Sequence, residues 1–202
     1  MDQMAEKERM ALYVAGEQPK WLEVPSLCYL ATDGRGDPNT AQDFQDALAL
    51  LYPIAYQVRA LAKEELGRVY KVGPLEGLWW ADGVENFMTL DKSAWRWTLM
   101  LSLPPYVTDH MVENACQTVR QKKKLAIDRV RILTLDEGKA AQLLHVGSYD
   151  SEVSTIEKLH AFIRDAGNLF DTRIQKHHEI YLSDPRRVVP GKLRTIIRQP
   201  VV

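Results

Sequence analysis

The sequence predicts an α+β fold in which the order strand, helix, strand, strand occurs twice. Two segments carry apolar residues at helical spacing, and each is followed by two segments with strand-like alternation or composition. A chain of 202 residues is long enough to bury one core. We therefore predict a polar leader over residues 1–20 and a single domain over 21–202. Within that domain, repeat one spans about 21–105, a connecting helix about 106–125, and repeat two about 126–202.

The first repeat opens with the extended segment WLEVPSLCYLATDGRGDP, whose last residues form a turn cluster. A helix is predicted from Asn39 or Thr40 to residue 67, with a kink or split at Pro53. The strand RVYKVGPLEGLWW follows and is interrupted at its Gly-Pro pair, as at a bulge or an edge. The strand AWRWTLMLSLPP then places alternate apolar residues on one face: Trp95, Trp97, Leu99 and Leu101.

The second repeat shows the same order of elements without obvious residue identity. Before it, a connecting helix is predicted over 106–124, with Thr108 as its cap. The strands RVRILTL and KAAQLLHVGSY, the helix DSEVSTIEKLHAFIRDAG, and the strands HHEIYLSDP and KLRTIIRQP complete the chain. In this alignment GPLEGLWWAD and HHEIYLSDP occupy the same strand of each repeat, and each carries a glutamate followed by aromatic residues.

Composition argues against several functional classes. The net charge of −1 and the scattered lysines and arginines predict no nucleic-acid contact. No stretch approaches eighteen consecutive apolar residues, and Cys28 and Cys116 have no metal or redox spacing, so we predict a cytoplasmic protein without a membrane span. No phosphate loop or catalytic triad spacing is present, which predicts no cofactor. His177 and His178 are adjacent on a strand and face opposite ways, so no metal site is predicted.

Two glutamates beside aromatic residues are the main candidates for chemistry. Glu179 and Tyr181 are two residues apart on a predicted strand and share one face. They either form the solvated side of an edge strand or line a pocket. Glu76, followed by Trp79 and Trp80, occupies the matching place in the first repeat, which favours a shared groove. We therefore expect Glu76 and Glu179 to approach each other, and burial among aromatic walls to raise the pKa of a carboxyl there.

The segment LLHVGSYDSE marks a junction between a strand and a helix. It contains His145, Tyr149 and Asp150. In one interpretation Gly147 and Ser148 make the turn, Asp150 or the following serine caps the helix, and the tyrosine packs. In the other, the start of the helix brings the Tyr149 hydroxyl to a groove.

These motifs together resemble the GyrI-like small-molecule-binding family. The resemblance rests on HVGSYDSE with its helix and HHEIYLSDP, and YKVGPLEGLWW with AWRWTLMLSLP extends it over about residues 20–200. PLEG followed by Trp79 is similar to the stand-alone members that include cyclopropanoid hydrolases. The resemblance implies duplicated βαββ units that form an antiparallel sheet, with helices bordering a central ligand groove. It also implies that Glu179 meets the ligand and that Trp79, Tyr149 and Tyr181 form an aromatic cage.

We therefore expect the protein to bind flat aromatic or amphipathic cationic xenobiotics, and the resemblance implies that it hydrolyses cyclopropane-bearing alkylating compounds. Two alternatives stay open: a non-catalytic binding or sequestering protein, and a gyrase-inhibitor-like protein that binds a protein partner. The near-neutral net charge gives no particular support to the hypothesis of a protein partner. The predicted catalytic residues are Glu179 and Glu76. The predicted ligand-binding residues are Trp79, Trp80, Tyr149, Tyr181 and His145.

Overall fold

The computed structural model describes residues 6–82, 91–123, 127–170 and 176–202. In these ranges one antiparallel sheet of eight strands is accompanied by four α-helices. The strands are β1 (Lys20–Val24), β2 (Leu27–Arg35), β3 (Leu75–Trp80), β4 (Arg96–Leu103), β5 (Val130–Leu135), β6 (Gly138–Val146), β7 (His177–Tyr181) and β8 (Arg194–Pro200). The helices are α1 (Glu6–Ala11), α2 (Gln42–Leu66), α3 (Asp109–Lys123) and α4 (Val153–Asp165). None of these helices is long and apolar enough to cross a bilayer.

The strand order confirms the predicted α+β fold with duplicated βαββ units. The sheet runs β1-β6-β8-β7-β3-β4-β2-β5. One unit is β2-α2-β3-β4, the other is β6-α4-β7-β8, and they meet where β3 pairs with β7. The strand that precedes each unit in the chain pairs with the other unit: β1 pairs with β6, and β5 pairs with β2. The two halves are therefore joined at the centre and at both edges of the sheet.

The helices of both units cover the same face of the sheet. Leu51 and Ile54 of α2 belong to a core cluster with Leu99 of β4. Ile156 of α4 belongs to a second cluster with Ile197 of β8. Between these clusters lie β3 and β7, and we call the region above these two strands the central groove. The central groove is therefore placed at the junction of the two repeats, as predicted.

Helix α2 continues through Pro53, so the predicted split is wrong. A proline inside a helix costs roughly 3 kcal/mol, since it removes a hydrogen bond and crowds the preceding turn. Leu51, Ile54 and Ala55 surround it and are fully or almost fully buried. Their burial stabilises the helix enough to offset that cost. The helix ends at Gly67, whose φ of 64° is left-handed and costs a glycine little.

Strand boundaries differ from the sequence predictions at two prolines. The predicted first strand is two strands, β1 and β2, which are separated by Pro25 and Ser26. The predicted strand over 68–80 begins only at Leu75, directly after Pro74, which has no N–H to donate to a ladder. The alternation in β4 is confirmed, since Trp97 and Leu99 face the helices.

The reverse face of the sheet is covered by residues 6–16. Tyr13 is buried there and packs in a cluster with Ile180 and Ile196. The main chain joins the sheet at Gly16, whose carbonyl accepts a hydrogen bond of 2.8 Å from the Leu144 N–H. This N-terminal segment is therefore packed against the domain and shields the reverse face from water.

Candidate functional site

The floor of the central groove is set by the pairing of β3 with β7. Gly77 lies opposite Glu179, and Trp79 lies opposite His177. Side chains of directly paired residues share one face, so Trp79, His177 and Glu179 all point toward the helices. Position 77 requires a glycine, because the side chains of Trp79 and Tyr181 leave no room for a Cβ atom. A Cβ added there would lie 2.7 Å from Trp79 Nε1 and 3.2 Å from the Tyr181 hydroxyl.

A chain of hydrogen bonds ends on the Glu179 carboxylate. Trp79 Nε1 donates to the Tyr181 hydroxyl at 2.8 Å, and that hydroxyl donates to Glu179 Oε2 at 2.7 Å. The other carboxylate oxygen lies 3.0 Å from His177 Nε2. Burial, and next the charge of Glu179, raise the pKa of Tyr181 well above its ordinary value, so the phenol keeps its proton. Glu179 is thus oriented by two side chains and is only 13% exposed.

A second carboxyl group, from Glu152, is close enough to Glu179 for the two to interact electrostatically. Glu152 immediately precedes α4, is buried, and none of the described residues supplies a hydrogen-bond partner for its Oε1. Burial, and next the negative charge of Glu179, raise its pKa to about 10, against the opposing effects of the Thr195 hydroxyl and Lys92. Glu152 is therefore a neutral acid at pH 7. Glu152 lies within the motif HVGSYDSE, but no spacing in the sequence predicts a role for it.

Aromatic rings form the walls above the carboxyl pair. Tyr149 and Tyr181 meet edge to face with ring centroids 5.9 Å apart. Trp95 meets Trp79 in the same way at 5.8 Å, and Phe44 stacks on Trp79 at 6.2 Å. Burial, and next the charge of Glu152, raise the pKa of Tyr149 to about 12. The structure thus brings Trp79, Tyr149, Tyr181 and Glu179 together, and it adds Trp95, whose role the sequence did not indicate.

His145 lies behind this wall and holds the turn before α4. Its Nδ1 is 2.8 Å from the Thr155 hydroxyl, and its Nε2 is 3.1 Å from the Ser148 carbonyl and 3.2 Å from the Ser151 hydroxyl. Both ring nitrogens are therefore engaged within the turn. These contacts do not support the predicted ligand contact; they indicate that His145 positions the segment that carries Tyr149 and Glu152.

The expected meeting of Glu76 and Glu179 is wrong, because the two residues lie on opposite faces of the sheet. Glu76 pairs with Ile180, one residue away from Glu179, and therefore points to the reverse face. It is fully buried there. Its Oε1 accepts a hydrogen bond of 2.7 Å from the Tyr13 hydroxyl, and its Oε2 lies 2.9 Å from His178 Nε2. The contacts of Glu76 are those of a buried ion-pair network rather than of a groove.

The network continues through residues of the second repeat. His178 Nδ1 lies 2.8 Å from Glu137 Oε1, and Arg198 donates to Glu137 Oε2 at 3.1 Å. Burial alone would lower the pKa of His178, but Glu137 and then Glu76 outweigh it and raise the value to about 9. Burial alone would raise the pKa of Glu137, but His178 and Arg198 lower it to about 2. Each buried charge is thus compensated within the network.

Trp80 also lies on the reverse face, so the prediction that it lines the groove is not supported. Neighbouring strand residues point to opposite faces of the sheet, and the side chain of Trp79 points toward the groove. The Lys176 ammonium stands 3.9 Å from the centre of the Trp80 ring. The Lys176 ammonium therefore occupies one face of the Trp80 ring.

Two open cavities in the described residues lie away from the carboxyl pair. One, of about 320 Å³, is lined by residues that include Arg35, Asp82 and Arg96. The other, of about 530 Å³, is lined by residues that include Tyr56, Arg59 and Tyr70. Neither lining contains a predicted ligand-binding residue.

The fold and the second-repeat motifs agree with comparisons to known proteins. The model of the GyrI-like small molecule binding domain matches residues 107–202. An uncharacterized conserved protein from Listeria innocua is 37% identical, with a TM-score of 0.88 and 98% of each chain covered. A hydrolase from Listeria innocua is 36% identical, with a TM-score of 0.85 and 98% of each chain covered.

More distant similarity shows the fold alone. The EcmrR C-terminal domain is 13% identical with a TM-score of 0.57, over 92% of this chain and 97% of that one. No protein with a curated description matches the chain. The Listeria innocua relatives cover almost the whole chain at more than a third identity, and the family model covers its second repeat. The chain belongs to the GyrI-like small-molecule-binding family.

Proposed function

We propose that this protein binds flat aromatic compounds in the central groove and adds water to a strained, electrophilic ring of the bound molecule. One observation carries the proposal: the buried carboxyl group of Glu152, whose pKa is raised to about 10, interacts with the carboxyl group of Glu179, which is only 13% exposed. A carboxyl group that keeps its proton at neutral pH beside a second carboxyl group can supply the acid that general acid–base catalysis needs.

Glu179 is the proposed base. The Tyr181 hydroxyl and His177 hold its two oxygens, so that the carboxylate is oriented before substrate arrives. Removal of a proton from water by a positioned base typically contributes about 10²–10⁴-fold to the rate. Because Glu179 is only 13% exposed, we expect the attacking water to be one held beside this carboxyl group.

Glu152 is the proposed acid. As the water oxygen bonds to a ring carbon, the strained C–C bond breaks and its electron pair moves into a conjugated carbonyl group. The carbonyl oxygen then takes the proton of Glu152, while Glu179 keeps the proton from water. The product has gained the elements of water, and passing one proton from Glu179 to Glu152 restores the starting state.

The walls select the shape of the substrate. Tyr149, Tyr181 and Trp95 present aromatic surfaces around the carboxyl pair, and such surfaces stack on flat rings with about 0.5–1.5 kcal/mol for each pair beyond the burial itself. We expect a substrate to enter by separating Tyr149 from Tyr181, whose ring contact is edge to face. The relative described as a hydrolase from Listeria innocua supports an enzymatic role.

The test is turnover of a cyclopropane-bearing alkylating compound, followed by mass as ring-opened product. The wild type, Glu179→Gln and Glu152→Gln are compared with Glu157→Gln, an exposed glutamate on α4, as the matched control. We expect the wild type and the control to turn over equally, and each site variant to lose about 10²–10⁴-fold. A wild type that binds the compound without forming product would establish the alternative, a non-catalytic binding protein.

A further inference from the structure

Lys92 places a positive charge beside the aromatic wall that Trp95 and Trp79 form at the central groove. It belongs to a 3₁₀ turn at Lys92–Ala94, which is fixed because the Asp91 side chain accepts a hydrogen bond of 2.8 Å from the Ser93 N–H. The Lys92 ammonium lies 3.2 Å from Asp150 and 5.7 Å from the centre of the Trp95 ring. Asp150 leads into the segment of Glu152, so this contact spans from one repeat to the other.

We infer that Lys92 is a tethered cation in the position that a cationic ligand would take, and that it restricts the groove to uncharged aromatic substrates. The inference rests on the proposed function only for the location of the binding groove. It narrows the expected ligands, which the sequence left as either aromatic or cationic.

The charges around the groove carry this inference. Organic cations are held by aromatic faces and by nearby carboxylates. Here Lys92 already lies over Trp95 and pairs with Asp150. Glu152 is neutral at pH 7, so its carboxyl group offers a cationic ligand no counter-charge. The Lys92 ammonium repels a second cation, whereas an uncharged flat ring meets no such repulsion.

The size of the effect follows from Coulomb's law. Two like charges separated by about 8 Å at a partly exposed site repel enough to weaken binding by roughly tenfold after solvent screening. Lys92 is about one-third exposed, which places it in this regime. We therefore expect Lys92→Met to strengthen the binding of a flat monocation about tenfold at low salt, and the gain to shrink in concentrated salt. Binding of an uncharged ring should change less than about twofold.

The experiment compares ethidium, a flat monocation, with phenanthridine, its uncharged ring system, in equilibrium titrations at pH 8. The control is Lys139→Met, which also removes a lysine that stands over a tryptophan, here Trp21 at 4.8 Å on another part of the sheet. We expect Lys92→Met to tighten ethidium alone and Lys139→Met to change neither ligand. Melting temperatures confirm that both variants are folded.

Three results would overturn the inference: ethidium affinity that is unchanged in Lys92→Met, an equal change for both ligands, or no binding of either ligand to any variant. The last result would also remove the proposed groove. If Lys92→Met shows the charge selectivity and the wild type hydrolyses no cyclopropane, the proposed reaction fails while the role of Lys92 stands.

Discussion

Replacing Glu152 with glutamine should make the folded protein more stable at neutral pH, although it removes a proposed catalytic group. The ordinary pKa of this carboxyl is 4.5, and in the folded protein it is raised to about 10 by burial and then by Glu179. Between these values the unfolded chain releases the proton and the folded chain keeps it. The free energy of unfolding therefore falls by about 1.4 kcal/mol for each pH unit.

At pH 7 this difference amounts to about 3 kcal/mol, because 7 lies 2.5 units above 4.5. Glutamine has no proton to release and keeps the size of the side chain. The free energy of unfolding of the variant therefore does not fall with pH through this group. For a chain of this length the gain corresponds to roughly 6–12 °C in melting temperature. Below pH 4.5 the Glu152 carboxyl group of the wild type is protonated in both the folded and the unfolded state, and the advantage of glutamine should vanish.

Urea denaturation of wild type, Glu152→Gln and the Glu157→Gln control at pH 4.5, 7 and 8.5 measures the effect. We expect the gain of Glu152→Gln to grow with pH, while the control follows the wild type at every pH. A gain that is independent of pH, or a variant less stable than wild type at pH 7, would refute the assignment of Glu152 as a neutral buried acid.

Two further predictions separate the groove from the reverse face. Glu76→Gln should cost about 3 kcal/mol of stability by denaturation, since Tyr13 and His178 lose a charged acceptor, yet leave phenanthridine affinity unchanged in the folded fraction. A loss of affinity without a loss of stability would contradict this assignment and indicate that Glu76 lines the groove. Tyr181→Phe should lower kcat about tenfold with little change in KM, because Glu179 loses its hydroxyl donor; an unchanged kcat would show that this bond does not orient the base.

The sequence was sufficient to predict the fold because its periodicity reflects burial directly. The alternation in β4 separates Trp97 and Leu99 from Thr98 and Met100, and the structure places the first pair under α2 and the second on the reverse face. The uninterrupted course of α2 through Pro53 could not be predicted in this way. It depends on packing against the sheet, which local propensity does not contain.

The candidate site was predicted only in part, and the error at Glu76 has a simple geometric cause. Strand side chains alternate with a period of two, so a shift of one residue in the pairing moves a side chain to the other face. Aligning the two repeats on their glutamates hides this shift, because the structure sets Gly77, not Glu76, opposite Glu179. Glu152 was missed for another reason. A glutamate at a helix start is ordinarily a solvated residue that favours the helix dipole, and its burial arises only from tertiary packing.

Incubation of the wild type with a cyclopropane-bearing alkylating compound in ¹⁸O-labelled water tests the central claim most directly. Mass spectrometry of both the small molecule and the protein then follows where the oxygen and the substrate go. We predict one ¹⁸O atom in each ring-opened product, an unchanged protein mass, and at least a hundredfold slower labelling in Glu179→Gln. Equal labelling rates in the wild type and Glu179→Gln, or substrate recovered only as a covalent adduct of the protein, would contradict water addition by this carboxyl pair.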